Sequence, residues 1–299
     1  MSYETATMVA ATVHLSIPYA CAALGGVLCE RSGVVNIALE GTLLSSALAS
    51  IAVAHGSGSS VAGVLAGVAC GALVGLVHAA FTLRARVDAI VSGLAINVIA
   101  AGGTRFVLRA LYGTSTNSPR IHGFRLGGEN LFTRTLFDPF VLLTTVAVAA
   151  TAWTLRSTRF GLHVRACGED PSAAHAVGVD VTMTRFVAVT LGGAAAGLGG
   201  SALAFELHQF QAGMSGGRGF IALAAVIVSG WRPWVALGAC LAFAALDAMQ
   251  VVLQGQTAVP PQLLAILPFV ATLGALVLVG RRAGWTSRPP AGIGKHATP

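Results

Sequence analysis

Lysine is almost missing from this sequence. Its single copy, Lys295, is followed by His296, so nowhere does a glycine-rich loop end in Lys-Ser or Lys-Thr. The chain therefore has no loop of the kind that cradles nucleotide phosphates. No HExxH is present, and Cys and His do not cluster at zinc-ligand spacing. Charge of either sign is scarce: 11 acidic and 18 basic residues make 10% of 299. A water-soluble surface cannot be built from so few charges. The five cysteines are odd in number, lack a CxxC pair and mostly lie inside apolar runs, so they are read as small core hydrophobes. Basic residues other than Lys295 are all Arg and sit mostly in short gaps between apolar runs, as topology signals do. Nucleic-acid binding is a poor use of the net charge of +7.

What is there is apolar. Hydrophobic residues make 55% of the chain and its mean hydropathy is +0.77. Charged groups are costly in hydrocarbon, and a surface of Ala, Val, Leu and Ile is stable where it faces acyl chains. Apolar runs fall at 8–28, 37–54, 61–81, 88–108, 138–155, 184–205, 220–231 continuing through 234–253, and 262–279. A crossing helix needs about 20 such residues. The expectation is an all-α polytopic membrane protein of about eight transmembrane helices. It forms one domain over 1–285, with a polar loop at 112–137, a second at 157–183 and a disordered tail at 286–299. Trp231-Arg232-Pro233 breaks the seventh run into a short and a full span. Met1 to Ala10 carries Glu4 and no basic residue, so the first run is expected to be retained as a span rather than cleaved.

Arginine placement predicts orientation. With the C-terminus inside, Arg31, Arg84, Arg86, Arg156, Arg159, Arg165, Arg185, Arg232, Arg281, Arg282, Arg288 and Lys295 lie on the cytoplasmic side. Arg105, Arg109, Arg120, Arg125, Arg134 and Arg218 are left outside. The N-terminus is then out. Gly63, Gly67, Gly71 and Gly75 share one helical face, and Gly193, Gly197 and Gly200 repeat the device, which suits close helix packing. His14 and His78 are expected to be packed histidines. Gly213-Met214-Ser215-Gly216-Gly217 matches G-x-S-x-G, but the only later histidine is His296 in the tail, so a turn entering the seventh span is the better reading.

Two segments carry a family resemblance, and a third supports it. Glu30 to Gly41 reads ERSGVVNIALEG, closely similar to a signature of nucleoside-type ABC importer permeases. Gly161 to Val179 (GLHVRACGEDPSAAHAVGV) resembles that family's cytoplasmic loop, and Gly217 to Pro233 (GRGFIALAAVIVSGWRP) its late-span motif. Simple-sugar and branched-chain amino acid permeases share the family. The resemblance implies a permease subunit without covalent chemistry, in the bacterial cell membrane, importing a nucleoside or a related sugar by alternating access. It implies no cofactor in this chain, with ATP and Mg bound by a partner ATPase. The implied partners are that cytoplasmic ATPase, a second homologous permease, an extracytoplasmic solute-binding lipoprotein and membrane lipid.

Asp170 followed by Pro171 is a helix start, Ala173, Ala174, Ala176 and Val177 form a small apolar face, and Gly178 supplies a stop. A helix of about two turns is unstable alone in water, so it should be held by docking. The resemblance makes Glu169 to Val179 a coupling helix that enters the ATPase. Glu30, Arg31, Asn36 and Glu40 crowd polar groups where a span begins, for helix packing and salt bridging or for gating and coupling. Glu40 is expected to face protein, water or Arg31. Asn97, Glu206, Gln209 and Asp247, with His208 and Gln250, are the remaining polar groups near membrane depth. They are candidates to hydrogen-bond a nucleoside, with Phe220, Phe205 or Phe210 to stack on its base, though such a residue singly is more often a helix-helix bond than a ligand. Two rivals stand beside the importer: an ion-coupled secondary transporter using Glu40, Glu206 or Asp247, and an intramembrane serine hydrolase at Ser215.

Overall fold

The computed structural model describes residues 3–121, 135, 137–254, 263, 266–281 and 289–294. The chain runs through α1 (Tyr3–Arg31), α2 (Leu39–Ser57), α3 (Ser60–Ala79, prolonged by a π-helical turn Ala80–Arg84) and α4 (Ala89–Tyr112). It continues with α5 (Pro139–Ser157), α6 (Arg159–Glu169), α7 (Pro171–Ala176), α8 (Val181–Glu206), α9 (Arg218–Val228), α10 (Pro233–Gln254) and α11 (Leu267–Arg281). Among the described residues the only β pairing is an isolated bridge between Asn117 and Gln211.

Scarce charge is spent on helix starts. Asp88, Asp138, Asp170 and Asp180 each accept backbone N–H groups at the first turn of α4, α5, α7 and α8. A carboxylate there satisfies orphan donors and meets the positive end of the helix dipole. The fifth aspartate of the chain, Asp247, lies inside α10 and has another role.

Six helices are long and apolar enough to cross a membrane: α1, α3 with its π turn, α4, α5, α8 and α10. Among the described residues the expected eight is therefore not reached on length and composition. α9 and α11 are apolar but shorter. α2 has 19 residues but carries Glu40, four serines and His55, and most of it is buried. The break expected at Trp231-Arg232-Pro233 separates α9 from α10: Trp231 takes a left-handed φ of 57° and Pro233 begins α10.

α1 and α8 form the interior, with α2 beside them, while α3, α4, α5 and α10 carry exposed Leu, Val, Phe and Trp side chains around the periphery. The two glycine runs meet each other. A Cβ on Gly71 would lie 2.4 Å from the Gly193 carbonyl oxygen, and one on Gly193 would lie 2.3 Å from that of Gly71. Backbone therefore packs on backbone between α3 and α8, a contact only small residues allow. α4 stands partly apart from α2 and α3, leaving an apolar groove of about 650 Å³ lined by Leu73, Val77, Ile96 and Ile99.

The loop at 112–137 lies largely outside the described residues. Its first part pairs with the segment after α8: Ser118 N donates to Phe210 O at 2.9 Å and Ala212 N to Thr116 O at 2.8 Å. Of the tail expected to be disordered, residues 289–294 form a turn against the first loop and α6. Gly292 N donates to Gly168 O at 2.8 Å and Gly294 N to Gly33 O at 2.9 Å. Backbone hydrogen bonds to partners far away in sequence, which composition does not report, order that stretch.

Candidate functional site

Two segments interrupt the run of helices. The first, residues 32–38, leaves α1 and rises again in extended form before α2 begins. Its backbone is held by side chains of neighbouring spans. His78 Nε2 lies 3.0 Å from Val35 O and its Nδ1 lies 3.0 Å from Ser92 Oγ. A carbonyl only accepts, so Nε2 carries the proton and Nδ1 accepts from Ser92 when the ring is neutral. Asn97 Nδ2 donates to Ile37 O at 2.9 Å, and Asn97 Oδ1 accepts from Gly41 N at 2.8 Å. Asn36 bridges Cys29 Sγ and Ala38 N. Asn97 is thus a clasp for this turn.

The second interruption, residues 207–217, descends from the end of α8 to the start of α9. Gly213, Gly216 and Gly217 take positive φ, so the G-x-S-x-G stretch is a turn, with Ser215 buried in it. The two interruptions meet at Glu40. Its Oε1 accepts from Gly217 N and its Oε2 from Gly219 N, each at 2.8 Å. A carboxylate from α2 therefore caps α9, with a charge at the positive end of that helix. The gap is filled by contact: a Cβ on Gly219 would lie 2.4 Å from Glu40 N. Glu40 faces protein as expected, though not Arg31. Arg31 donates through Nε to Trp231 O at 3.1 Å.

Next to this junction, Tyr19 Oη donates to Asp247 Oδ2 at 2.7 Å, and Arg218 Nη2 lies 3.7 Å from the same oxygen. The Arg218 guanidinium sits 5.9 Å from the Tyr19 ring centre, while its Nη1 donates to Met214 O at 3.0 Å. From Tyr19 to the end of α1 at Arg31 is a rise of about 18 Å, so Arg218, counted among the outside arginines, packs beside α1 that far from its Arg31 end. Glu206 is exposed, 3.8 Å from His14, which is only partly buried and not packed as expected. His14, Glu206 and Arg218 border a cleft of about 20 Å³, room for about one water. Gln209 is half-buried in the second interruption and Phe220 is exposed on α9. Phe205 and Phe210 are buried in the core, which removes them as stacking surfaces.

At the opposite end, Glu30 is buried and accepts the indole N–H of Trp231. The polar loop folds into two helices, α6 and α7, the first of which the sequence reading missed although its apolar and polar residues alternate at helical spacing. Asp170 Oδ1 accepts from Ser172 N at 2.9 Å and Ala173 N at 3.0 Å, so Pro171 and Asp170 start α7. Pro171 and Ala174 face inward, Gly178 has φ 88°, and Ala173, Ala176 and Val177 are exposed. Glu169 Oε2 accepts from Ala291 N at 3.3 Å. Beneath α6, buried Arg185 ties the loop to the first interruption: Nε donates to Ser32 O at 2.8 Å and Nη2 to Cys167 O at 2.9 Å. The Cys167 thiol pKa is raised by burial, with the nearby Arg185 charge opposing the rise. Tyr19 was not singled out from the sequence, and Arg185, Arg218 and Trp231 were read only as topology signals or a helix break, since their roles are set by partners about 18 to 230 positions away.

Interrupted helices with polar ends inside a bundle of apolar spans define a multi-pass membrane transport protein. The family model described as branched-chain amino acid transport system / permease component matches residues 8–276, and the chain belongs to that family. It is 34% identical over 297 residues, 92% of each chain, to the guanosine ABC transporter permease protein NupQ of Bacillus subtilis. It is 33% identical over 292 residues, 91% of each, to the nucleoside ABC transporter permease protein NupC of Lactococcus lactis. A putative glucose ABC transporter permease, TsgC13 of Haloferax volcanii, is 31% identical over 306 residues, covering 91% of this chain and 89% of that one. The family is a permease component and not an enzyme, so neither the hydrolase at Ser215 nor an ion-coupled transporter is favoured.

Proposed function

We propose that this permease subunit imports nucleosides, paired with a second, non-identical permease chain around a shared pathway. A solute-binding lipoprotein delivers the nucleoside from outside, and an ATPase carrying ATP and Mg docks inside. The N-terminus lies outside and the C-terminus inside, in keeping with the arginine distribution. The nucleoside assignment rests on the two nucleoside permeases matched over nearly the whole chain and on the Glu30 to Gly41 segment.

The observation that carries the mechanism is the Arg185 link between the α6 carbonyl of Cys167 and the Ser32 carbonyl of the first interruption. In this reading α7 is the coupling helix. Its exposed Ala173, Ala176 and Val177 enter a cleft of the ATPase, while Glu169, Asp170, Pro171, Ala174 and Gly178 shape and seat it. ATP-driven closure shifts α6 and α7, and the rigid guanidinium passes the shift to residues 32–38. That segment, with Glu30, Arg31, Asn36 and Glu40, acts as the gate: moving α2 moves Glu40 and hence the capped start of α9. The narrow cleft beside Arg218 then widens on the pathway side, where Glu206, Gln209, Asp247 and Phe220 meet the ribose and base. Asn97 holds the gate turn rather than substrate. The interruptions are bistable elements of the kind alternating access requires.

The test is co-purification of the tagged chain with its operon-encoded neighbours in mild detergent, comparing wild type with a chain whose residues 169–178 are replaced by a Gly/Ser linker. Wild type should retain an ATPase and a second permease, the linker variant should lose the ATPase alone, and vesicles of the wild-type complex should take up labelled nucleoside in preference to labelled glucose. A chain that purifies without an ATPase in both cases ends this reading.

A further inference from the structure

A cleft of about 690 Å³ opens where α5 ends, α10 begins and α6 passes beneath them. Four arginines line it: Arg31, Arg156, Arg165 and Arg232. Three of the chain's four tryptophans, Trp153, Trp231 and Trp234, line it as well. Arg165 and Arg232 are near enough to Arg31 to repel its charge, with Glu169 the acidic group that offsets them. Among the described residues, no carboxylate lies within ion-pair distance of Arg31, Arg156 or Arg165. Arg31 is held to the Trp231 carbonyl, and Arg165 Nε donates to Gly161 O at 3.3 Å. Arg156 and Arg232 are exposed.

Arg31, Arg156 and Arg165, lining one cleft with no carboxylate at ion-pair distance among the described residues, favour an anion between them. The tryptophans narrow the choice of anion. Trp153 is 64% exposed near the end of α5 and Trp234 is 55% exposed at the start of α10, both on spans. Indole rings at span ends sit at the level of lipid headgroups, with the apolar body toward acyl chains. A basic pocket between spans at that level suits an anionic phospholipid.

The geometry points to a binding site for one anionic phospholipid, its phosphate held by Arg156 and Arg165 and its glycerol and upper acyl carbons lying over Trp153 and Trp234. The site needs only that this end of α5 and α10 reaches the headgroup layer. It holds for either orientation of the chain and for any transported solute. Bound lipid ties α6 to the start of α10 across the cleft.

The test is native mass spectrometry of the delipidated transporter complex, re-exposed to mixed micelles of equal phosphatidylglycerol and phosphatidylethanolamine. Wild type should retain one phosphatidylglycerol per chain in preference to phosphatidylethanolamine. At about fivefold per arginine, the R156Q/R165Q pair should weaken retention roughly 25-fold. R156K/R165K should restore most of it, and R84Q/R86Q, remote from the cleft, should leave it unchanged. If the glutamine pair does not fold, salt titration of wild type decides, because headgroup retention should fall steeply with ionic strength. Equal retention of the two lipids, an unchanged R156Q/R165Q, or a flat salt response would overturn the site. So would displacement by millimolar inorganic phosphate, which identifies a soluble anion, or loss of the ATPase from R156Q/R165Q with lipid unchanged, which identifies a subunit contact.

Discussion

Replacing Glu40 should separate the two interruptions. The carboxylate accepts the Gly217 and Gly219 amides at 2.8 Å, one on each oxygen. A hydrogen bond to a charged group contributes about 1.5–3 kcal/mol, and a charge at a helix terminus about 0.3–1 kcal/mol more. Glu40→Gln keeps one accepting oxygen but turns an NH2 donor toward the other amide and removes the charge. Its cost is then about 2–4 kcal/mol. Glu40→Ala leaves both amides without this partner, at about 1–3 kcal/mol each, for a total of roughly 2–6 kcal/mol. Glu40 is half-buried, so water recovers part of this and the lower half of each range is expected. Glu40→Asp is too short by one methylene to span both amides and should fall between wild type and alanine. The assay is reversible unfolding of the purified complex in a denaturing-micelle titration, read beside nucleoside uptake. If Glu40→Gln and Glu40→Ala both unfold within about 0.5 kcal/mol of wild type, the carboxylate does not hold α9 and the reasoning fails.

Other perturbations probe other joints. Gly71→Leu drives a side chain into the Gly193 backbone, where even a Cβ would lie 2.4 Å from the carbonyl oxygen. Overpacking of this kind costs about 1–3 kcal/mol or more, and lower yield of monodisperse complex would report it. Arg185→Lys loses the planar fork that bridges Ser32 O and Cys167 O. The complex should keep its ATPase while solute-stimulated ATP hydrolysis falls several-fold, and unchanged stimulation would remove Arg185 from the coupling route. Asp170→Ala removes the cap of α7 at about 0.5–2 kcal/mol, which should weaken ATPase retention in a salt wash. Cys167 is buried with its thiol pKa raised. Less thiolate is therefore present at pH 8 than for a free cysteine, and since the thiolate is the reactive form, maleimide should label it only after unfolding.

Much of the membrane architecture was legible because hydropathy and helical period are local properties. The runs at 88–108, 138–155 and 184–205 match α4, α5 and α8 within a few residues, and the Asp170-Pro171 start of α7 is a local capping rule. The glycine runs announced close packing on two helices, but not that they pack on each other. Six of the expected eight spans are long and apolar enough among the described residues; α2 carries Glu40, four serines and His55, and α9 and α11 are short.

The polar residues divide along the same line. The sequence by itself determined that Asn97 and Asp247 lie near membrane depth and that Glu30, Arg31, Asn36 and Glu40 crowd the start of a span, because hydropathy is a local property. Only the tertiary structure decided the partners: Trp231 for Glu30, the α9 amides for Glu40, the first interruption for Asn97, and Tyr19 with Arg218 for Asp247. Those pairings join positions about 30 to 230 residues apart. They depend on how α1, α2, α4, α9 and α10 stack, and no periodicity or motif in one segment encodes the face of another.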